Sequence, residues 1–317
     1  MAGAGQYWVT GSLGGSLTNN KLSKSIRNQN VGEFVFKQFV DIKEDLGKSS
    51  GDTVYFDKVL KIDTKGATLT ESATMSENKW KVVKDSVVVT ELGNAVPWTK
   101  KLETLSEFDP SDISSRTLKN DQLEVLDSLA YAEFYKAGFV AVCTNTATTA
   151  FTSNSSATIV ATANISDKNV RQIVNLLEKK LVPKFSDGMY RGILSTESKS
   201  GLYDFLQAIA QYTTPEFRHK NEVGMYYGVR FVQDTQFLSD TKGSGSIFGE
   251  GLIFGQESVL EAVAALPEVV MKVPTDYGRS RGVSWQAIEA FKKMWKSDDD
   301  LNSTGKGIER ICLITSA

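Results

Sequence analysis

The single histidine of the chain, His219, leaves any histidine-based triad only one base to draw on. It sits in a loop between Arg218 and Lys220, where a solvated imidazole is the expected state. Cys143 follows Val142 in a stretch of small residues, with no helix start or basic neighbour to lower its pKa, and is expected to be a buried thiol. With Cys312 the only other cysteine, far along the chain, the pair fits reduced thiols better than a disulfide framework. Two cysteines and one histidine at these spacings do not form a zinc site.

Asp298, Asp299 and Asp300 are consecutive, so their side chains point in different directions. They lack the spacing and glycine of a calcium loop, and a solvated turn is expected. Ser303-Thr304-Gly305-Lys306-Gly307 has part of the composition of a phosphate loop. It lacks the upstream glycine, the hydroxyl residue after the lysine and a preceding strand. Gly243-Ser244-Gly245-Ser246 reads as a linker. Carboxylates are abundant, 38 in all, but nothing in the order of residues promotes one pair for acid and base work. No residue is therefore assigned a catalytic, cofactor-binding or metal-ligating role, and no cofactor is expected. A carboxylate-dependent hydrolase stays open as an alternative class.

These residues are set in a chain of 317, long enough for two modest domains or one elaborated domain. Hydrophobic residues make up 41% and charged residues 23%, the composition of a folded globular protein. A formal charge of −2 gives no global attraction to nucleic acid or anionic lipid. No basic start followed by an apolar run opens the chain, and no stretch reaches the roughly 18 apolar residues of a membrane span. Neither an export signal nor an anchor is expected.

Residues 1–32 are polar, with apolar positions scattered at Trp8, Leu13, Leu17, Leu22 and Ile26. Such a segment cannot offset its own chain entropy and reads as an arm that needs a surface to lie on. Residues 34–39 form a short apolar anchor. Strands are predicted over 53–62 and 80–92, joined by a polar stretch, a two-stranded excursion that needs packing from elsewhere. Asp109 as N-cap and Pro110 at the first helical position open a helix with Leu118, Leu123, Leu126, Leu129, Ala130 and Phe134 at helical spacing until Gly138, about 28 residues or roughly 42 Å.

Residues 140–165 read as a loop or weak strands. A second helix starts at Ser166, with Val170, Ile173, Val174, Leu177 and Leu181 on one stripe before Pro183. Strands follow at 189–194, 225–231, 269–273 and 311–314, with helical stretches near 201–212 and 257–265. Loops are read at 215–222 and 243–246, and residues 283–295 fit either helix or strand. The fold class is α+β.

In this order the elements resemble the Hong Kong 97 fold of tailed-bacteriophage major capsid proteins. Four local stretches resemble the subgroup related to the coat protein of coliphage N-four: GDTVYFDK at 51–58, VVVTELGNAVPWT at 87–99, FGEG at 248–251, and Gly278-Arg279-Ser280 followed by Val283-Ser284-Trp285. The resemblance implies an N-terminal arm at 1–49 and an extended β-hairpin loop at 50–96 lying over a neighbouring subunit. It implies a peripheral domain from 97–138 and 274–317 with a spine helix at 109–137, an axial domain at 139–273, and a strand at 283–295.

It further implies a shell subunit and not an enzyme, one that assembles in the host cytoplasm into the icosahedral head around a double-stranded DNA genome. Its partners would be copies of itself in hexamers and pentamers, with scaffolding, portal and decoration proteins as further candidates. Contact with packaged DNA would be weak and nonspecific, and no membrane is involved. An encapsulin-type nanocompartment shell is the alternative within the same fold.

Overall fold

The protein is described from a computed structural model, which covers residues 34–40, 42–45, 51–62, 66–72, 74–75, 77–107, 109–145, 148–153, 161–202, 224–241, 249–299 and 306–314. Most of the predicted arm, His219, the loop at 215–222 and the run at 243–246 lie outside these residues.

The helix opened by Asp109 organises the rest. Helix α2, Pro110–Phe134, has the Asp109 carboxylate accepting from the Ser111 N–H at 2.9 Å, and Pro110 needs no N–H partner there. A short helix α1, Lys100–Leu105, precedes it. At 25 residues α2 is about 37 Å long, enough to underlie two sheets. It ends before the expected residue 137. Gly138 is not its left-handed stop: a Cβ there would come within 1.9 Å of the Glu309 carboxyl carbon, so this glycine serves a close approach.

One sheet has four strands in the order β1-β11-β12-β4: β1 is Ile42–Asp45, β4 Thr90–Thr99, β11 Val259–Met271 and β12 Ser280–Lys293. Its Trp98, Val283, Trp285 and Ala287 pack with Leu118 of α2. A second sheet has seven strands in the order β6-β5-β13-β10-β7-β9-β8: β5 is Phe139–Asn145, β6 Thr148–Ser153, β7 Tyr190–Leu194, β8 Met225–Tyr226, β9 Val229–Gln233, β10 Gly251–Phe254 and β13 Ile311–Ile314.

Alternation divides the central strands of the second sheet between two cores. Val140, Val142, Leu252, Phe254, Ile311 and Leu313 face Leu126, Ala130 and Phe134 of α2. Ala141, Cys143, Ile253, Cys312 and Ile314 face helix α3, Asp167–Lys179, through Val170, Ile173, Val174 and Leu177. The helix start expected at Ser166 is there, closed by a capping box with Asn169.

Several expectations are corrected. Residues 257–265 are not helical; they begin the strand β11. All of Val259–Ala262 is buried because hairpin residues cover one face and the α2 core covers the other, which erases alternation and leaves the alanines and Glu261 to suggest a helix. Pro267 is accommodated because, among the described residues, β1 pairs with Leu260–Val263 alone and the rest of β11 has β12 as its one partner, with two register shifts. The ambiguous stretch at 283–295 is the strand β12, as the resemblance implied.

Residues 140–165 include most of β5, buried from Phe139 to Cys143, and the run at 225–231 is a tight hairpin turning at Tyr227 and Gly228, both at positive φ. Helical geometry near residue 201 already starts at 196 and is described to 202. Residues 80–92 are not one strand. β3, Val82–Val88, pairs with β2, Thr53–Val59, whereas β4 begins at Thr90 and pairs with β12.

Candidate assembly interface

The two-stranded sheet of β2 and β3 stands apart from both larger sheets, and its two faces meet different surroundings. On the inner face Phe56 and Val87, with Val89 just beyond, pack on Leu260, Ala262, Ile288 and Ala290 of the four-stranded sheet. On the outer face Thr53 lies opposite Val88, Tyr55 opposite Ser86, and Val59 opposite Val82. Tyr55 is 70% exposed there, and Val59, Val82 and Val88 are exposed with it. Past Leu60, whose N–H donates to the Lys81 carbonyl at 2.9 Å, every described residue from Lys61 to Trp80 is exposed, including Ile62, Leu69, Met75 and Trp80. An isolated ribbon with this much apolar surface in water is the signature of a contact surface.

A set of charged groups holds the root of the ribbon. Lys58 occupies an inward position of β2 and is buried. Its Nζ donates to Asp299 Oδ2 at 2.5 Å and to the Met294 carbonyl at 2.6 Å. Asp85 of β3 accepts from Lys292 Nζ at 2.8 Å and lies 2.8 Å from Lys296 Nζ. Burial works to raise the Asp85 pKa, but the hydrogen bonds from Lys292, Lys296 and the Ser86 N–H outweigh it and hold the carboxyl well below the ordinary value of 3.8. Lys296 is shifted upward, its desolvation overcome by Asp85.

A second set pins residues 34–40 to the body. Val35, Phe36 and Val40 enter the α2 core, and the buried Asp127 of α2 accepts the Val35 N–H at 3.1 Å and the Lys37 N–H at 2.7 Å. Burial raises the Asp127 pKa against the pull of those N–H groups. Lys37 Nζ reaches two buried carboxylates, Glu261 at 3.2 Å and Glu289 at 2.9 Å.

Among the described residues, those weighed for chemistry are not gathered into one site. Cys143 and Cys312 are free, buried thiols facing α3; burial pushes Cys143 up to about 12 and Cys312 higher still. Asp299 is not part of a solvated turn, as had been expected: it is buried against Lys58, because the segment after β12 folds under the ribbon. Lys306 is exposed, while residues 301–305 lie outside the described set. Among the described residues no group of three or more His, Cys, Asp or Glu is placed to share a metal ion. No helix among them is long and apolar enough to cross a membrane. Residue types alone did not bring Lys58, Asp85, Lys292 or Lys37 forward. For Lys58 the signal was present in its phase, between Phe56 and Leu60 on the inward side of an alternating strand.

No family model and no curated protein matches the chain. Solved structures do. The capsid of cyanophage Pam1 is similar at 17% identity and a TM-score of 0.69, with 98% of each chain covered. The head of Helicobacter pylori bacteriophage KHP40 is similar at 11% identity and 0.69, again over 98% of both. The capsid of cyanophage P-SCSP1u is similar at 11% and 0.69, over 95% of this chain and 93% of that one. At such identities the likeness defines the fold: an α+β architecture of the Hong Kong 97 type, spanning nearly the whole chain.

Proposed function

We propose that this chain is the major capsid protein of a tailed bacteriophage, a shell subunit that assembles into the icosahedral head around a double-stranded DNA genome. The observation that carries this reading is the coverage in both directions: 95% or more of this chain and 93% or more of each of the three capsid chains are matched. The exposed apolar face of the β2–β3 ribbon supports it, since a subunit acting alone would bury that surface.

In this reading residues 1–49 are the arm, 50–96 the extended loop, 97–138 with 274–317 the peripheral domain, and 139–273 the axial domain. Four local stretches resemble the subgroup related to the coat protein of coliphage N-four, and we place the chain beside it on that resemblance. Copies in hexamers and pentamers are the main partners, with scaffolding, portal and decoration proteins beside them and only weak, nonspecific contact with DNA. No residue is assigned a catalytic role, and assembly takes place in the host cytoplasm. Purified subunit, with scaffolding protein supplied where needed, is expected to form closed particles by electron microscopy and sedimentation. Monomers alone at every concentration overturn the reading.

A further inference from the structure

The apolar contacts beneath the β2–β3 ribbon give it a seat without giving it a direction. Phe56 and Val87 rest mainly on alanines and short aliphatic side chains, Ala262, Ala290, Leu260 and Ile288, and such contacts are non-directional. Direction has to come from hydrogen bonds, which weaken steeply with angle.

Lys58 supplies them. The residue is 2% exposed, and all three ammonium protons have an acceptor. Two acceptors belong to the segment where β12 ends and turns: the Met294 carbonyl at 2.6 Å and Asp299 Oδ2 at 2.5 Å. The third, Asp85 Oδ2 at 3.5 Å, is on the other strand of the ribbon. One nitrogen thus joins β2, β3 and the body. Asp85 is gripped from the body side by Lys292 and Lys296, and Asp299 also accepts the Lys296 N–H at 2.9 Å. Two rings flank it: the Lys58 nitrogen lies 5.5 Å from the Phe56 ring centroid and 5.7 Å from that of Trp295, which Arg310 also covers at 4.4 Å. A buried ammonium with every proton directed is costly to leave half-paired, so this arrangement tolerates one orientation of the ribbon and penalises others.

We propose that Lys58 is a positioning residue, the clasp that fixes the direction in which the ribbon leaves the body, and that it thereby pre-organises the subunit for contact with a second copy of itself. The first half stands on the geometry alone; the second rests on the shell-subunit reading. Ordering a mobile ribbon at the moment of association weakens association, and a clasp moves that ordering into the free subunit.

The test uses the full chain in two variants. Lys58→Met keeps an unbranched side chain of similar length and removes the ammonium, leaving Asp85 and Asp299 their other donors. Asp299→Asn keeps the shape of the body-side acceptor and removes its charge. In the unassembled subunit, amide exchange at Thr53–Val59 and Val82–Val88 rises about tenfold in Lys58→Met, while exchange in α2 and β13 stays at the wild-type rate. Asp299→Asn gives a smaller rise, and the double variant is no worse than Lys58→Met, because both changes break one contact. The subunit concentration at which particles form rises roughly threefold or more in Lys58→Met.

Unchanged exchange in the ribbon of the folded variants overturns the clasp. Should Lys58→Met fail to fold, Asp299→Asn decides by the same measurement. Raised exchange with an unchanged assembly threshold overturns the pre-organising role. A wild-type subunit that never assembles overturns the shell reading, and the exchange data still decide the clasp.

Discussion

At Asp85 three cations converge on one carboxylate: Lys58, Lys292 and Lys296. Its pKa is lower in the fold than in the unfolded chain, so its contribution to stability is present above the ordinary carboxylate value and is lost as pH falls through the lower folded value. Thermal unfolding of the free subunit followed from pH 5 downward is expected to lose stability below about pH 4, with a smaller loss in Asp85→Asn. At pH 7 that variant is expected to be destabilised by about 2 kcal/mol in denaturant titrations, the scale of hydrogen bonds to a charged group. Gly138 is a second case where one atom decides. A methyl group there displaces the Glu309 carboxylate, which pairs with the buried Lys293 at 2.6 Å. Gly138→Ala is expected to cost about 3 kcal/mol, measured the same way, because it unpairs a buried ammonium.

Among the elements, those that announced themselves did so through local chemistry. Asp109-Pro110 opens α2 and Ser166 opens α3, each with a cap that needs no tertiary partner to be recognised, and the Ile311–Ile314 strand stands out as four buried residues in a row. The elements that hid did so because their character comes from what covers them. β11 is a strand by virtue of pairing with β12 and being enclosed on both faces at its start. The break between β3 and β4 falls at Val89 within a run of valines with no turn residue; Val89 N–H still donates to the Asp52 carbonyl at 2.9 Å, on the ribbon side, whereas Thr90 already pairs with Glu289 of the larger sheet. The charged groups of the ribbon root escaped notice as residue types and become legible only with strand phase. At this scale the separation of ribbon from body is testable. Deleting residues 63–78 is expected to leave far-ultraviolet circular dichroism and cooperative unfolding nearly unchanged while particle formation fails; loss of the folded state would instead make the ribbon part of the core.

For the molecule as a whole, surface left uncovered in one subunit matters as much as the cores. The outer face of the ribbon carries Tyr55 and Val88 at neighbouring positions on opposite strands, both exposed. In the double variant Tyr55→Lys, Val88→Lys the melting temperature of the free subunit is expected to move by less than about 2 °C, since exposed positions contribute little to folding. Its threshold for assembly is expected to rise by about tenfold or more, since burying two unpaired ammonium groups opposes any contact made through this face. Sedimentation across a concentration series distinguishes the two effects.

The position of β13 in the seven-stranded sheet has a consequence for synthesis. Ile311–Ile314 lies between β5 and β10, more than 160 residues after the first of these neighbours and more than 50 after the second, and both leave an open edge until it arrives. A chain emerging from the ribosome cannot close this sheet until residue 314 is free. A fragment released before that point lacks the middle strand and the residues that join the two cores. Chains terminated before residue 314 are therefore expected to be degraded faster than the full chain, a difference that pulse-chase labelling of truncated and complete subunits measures.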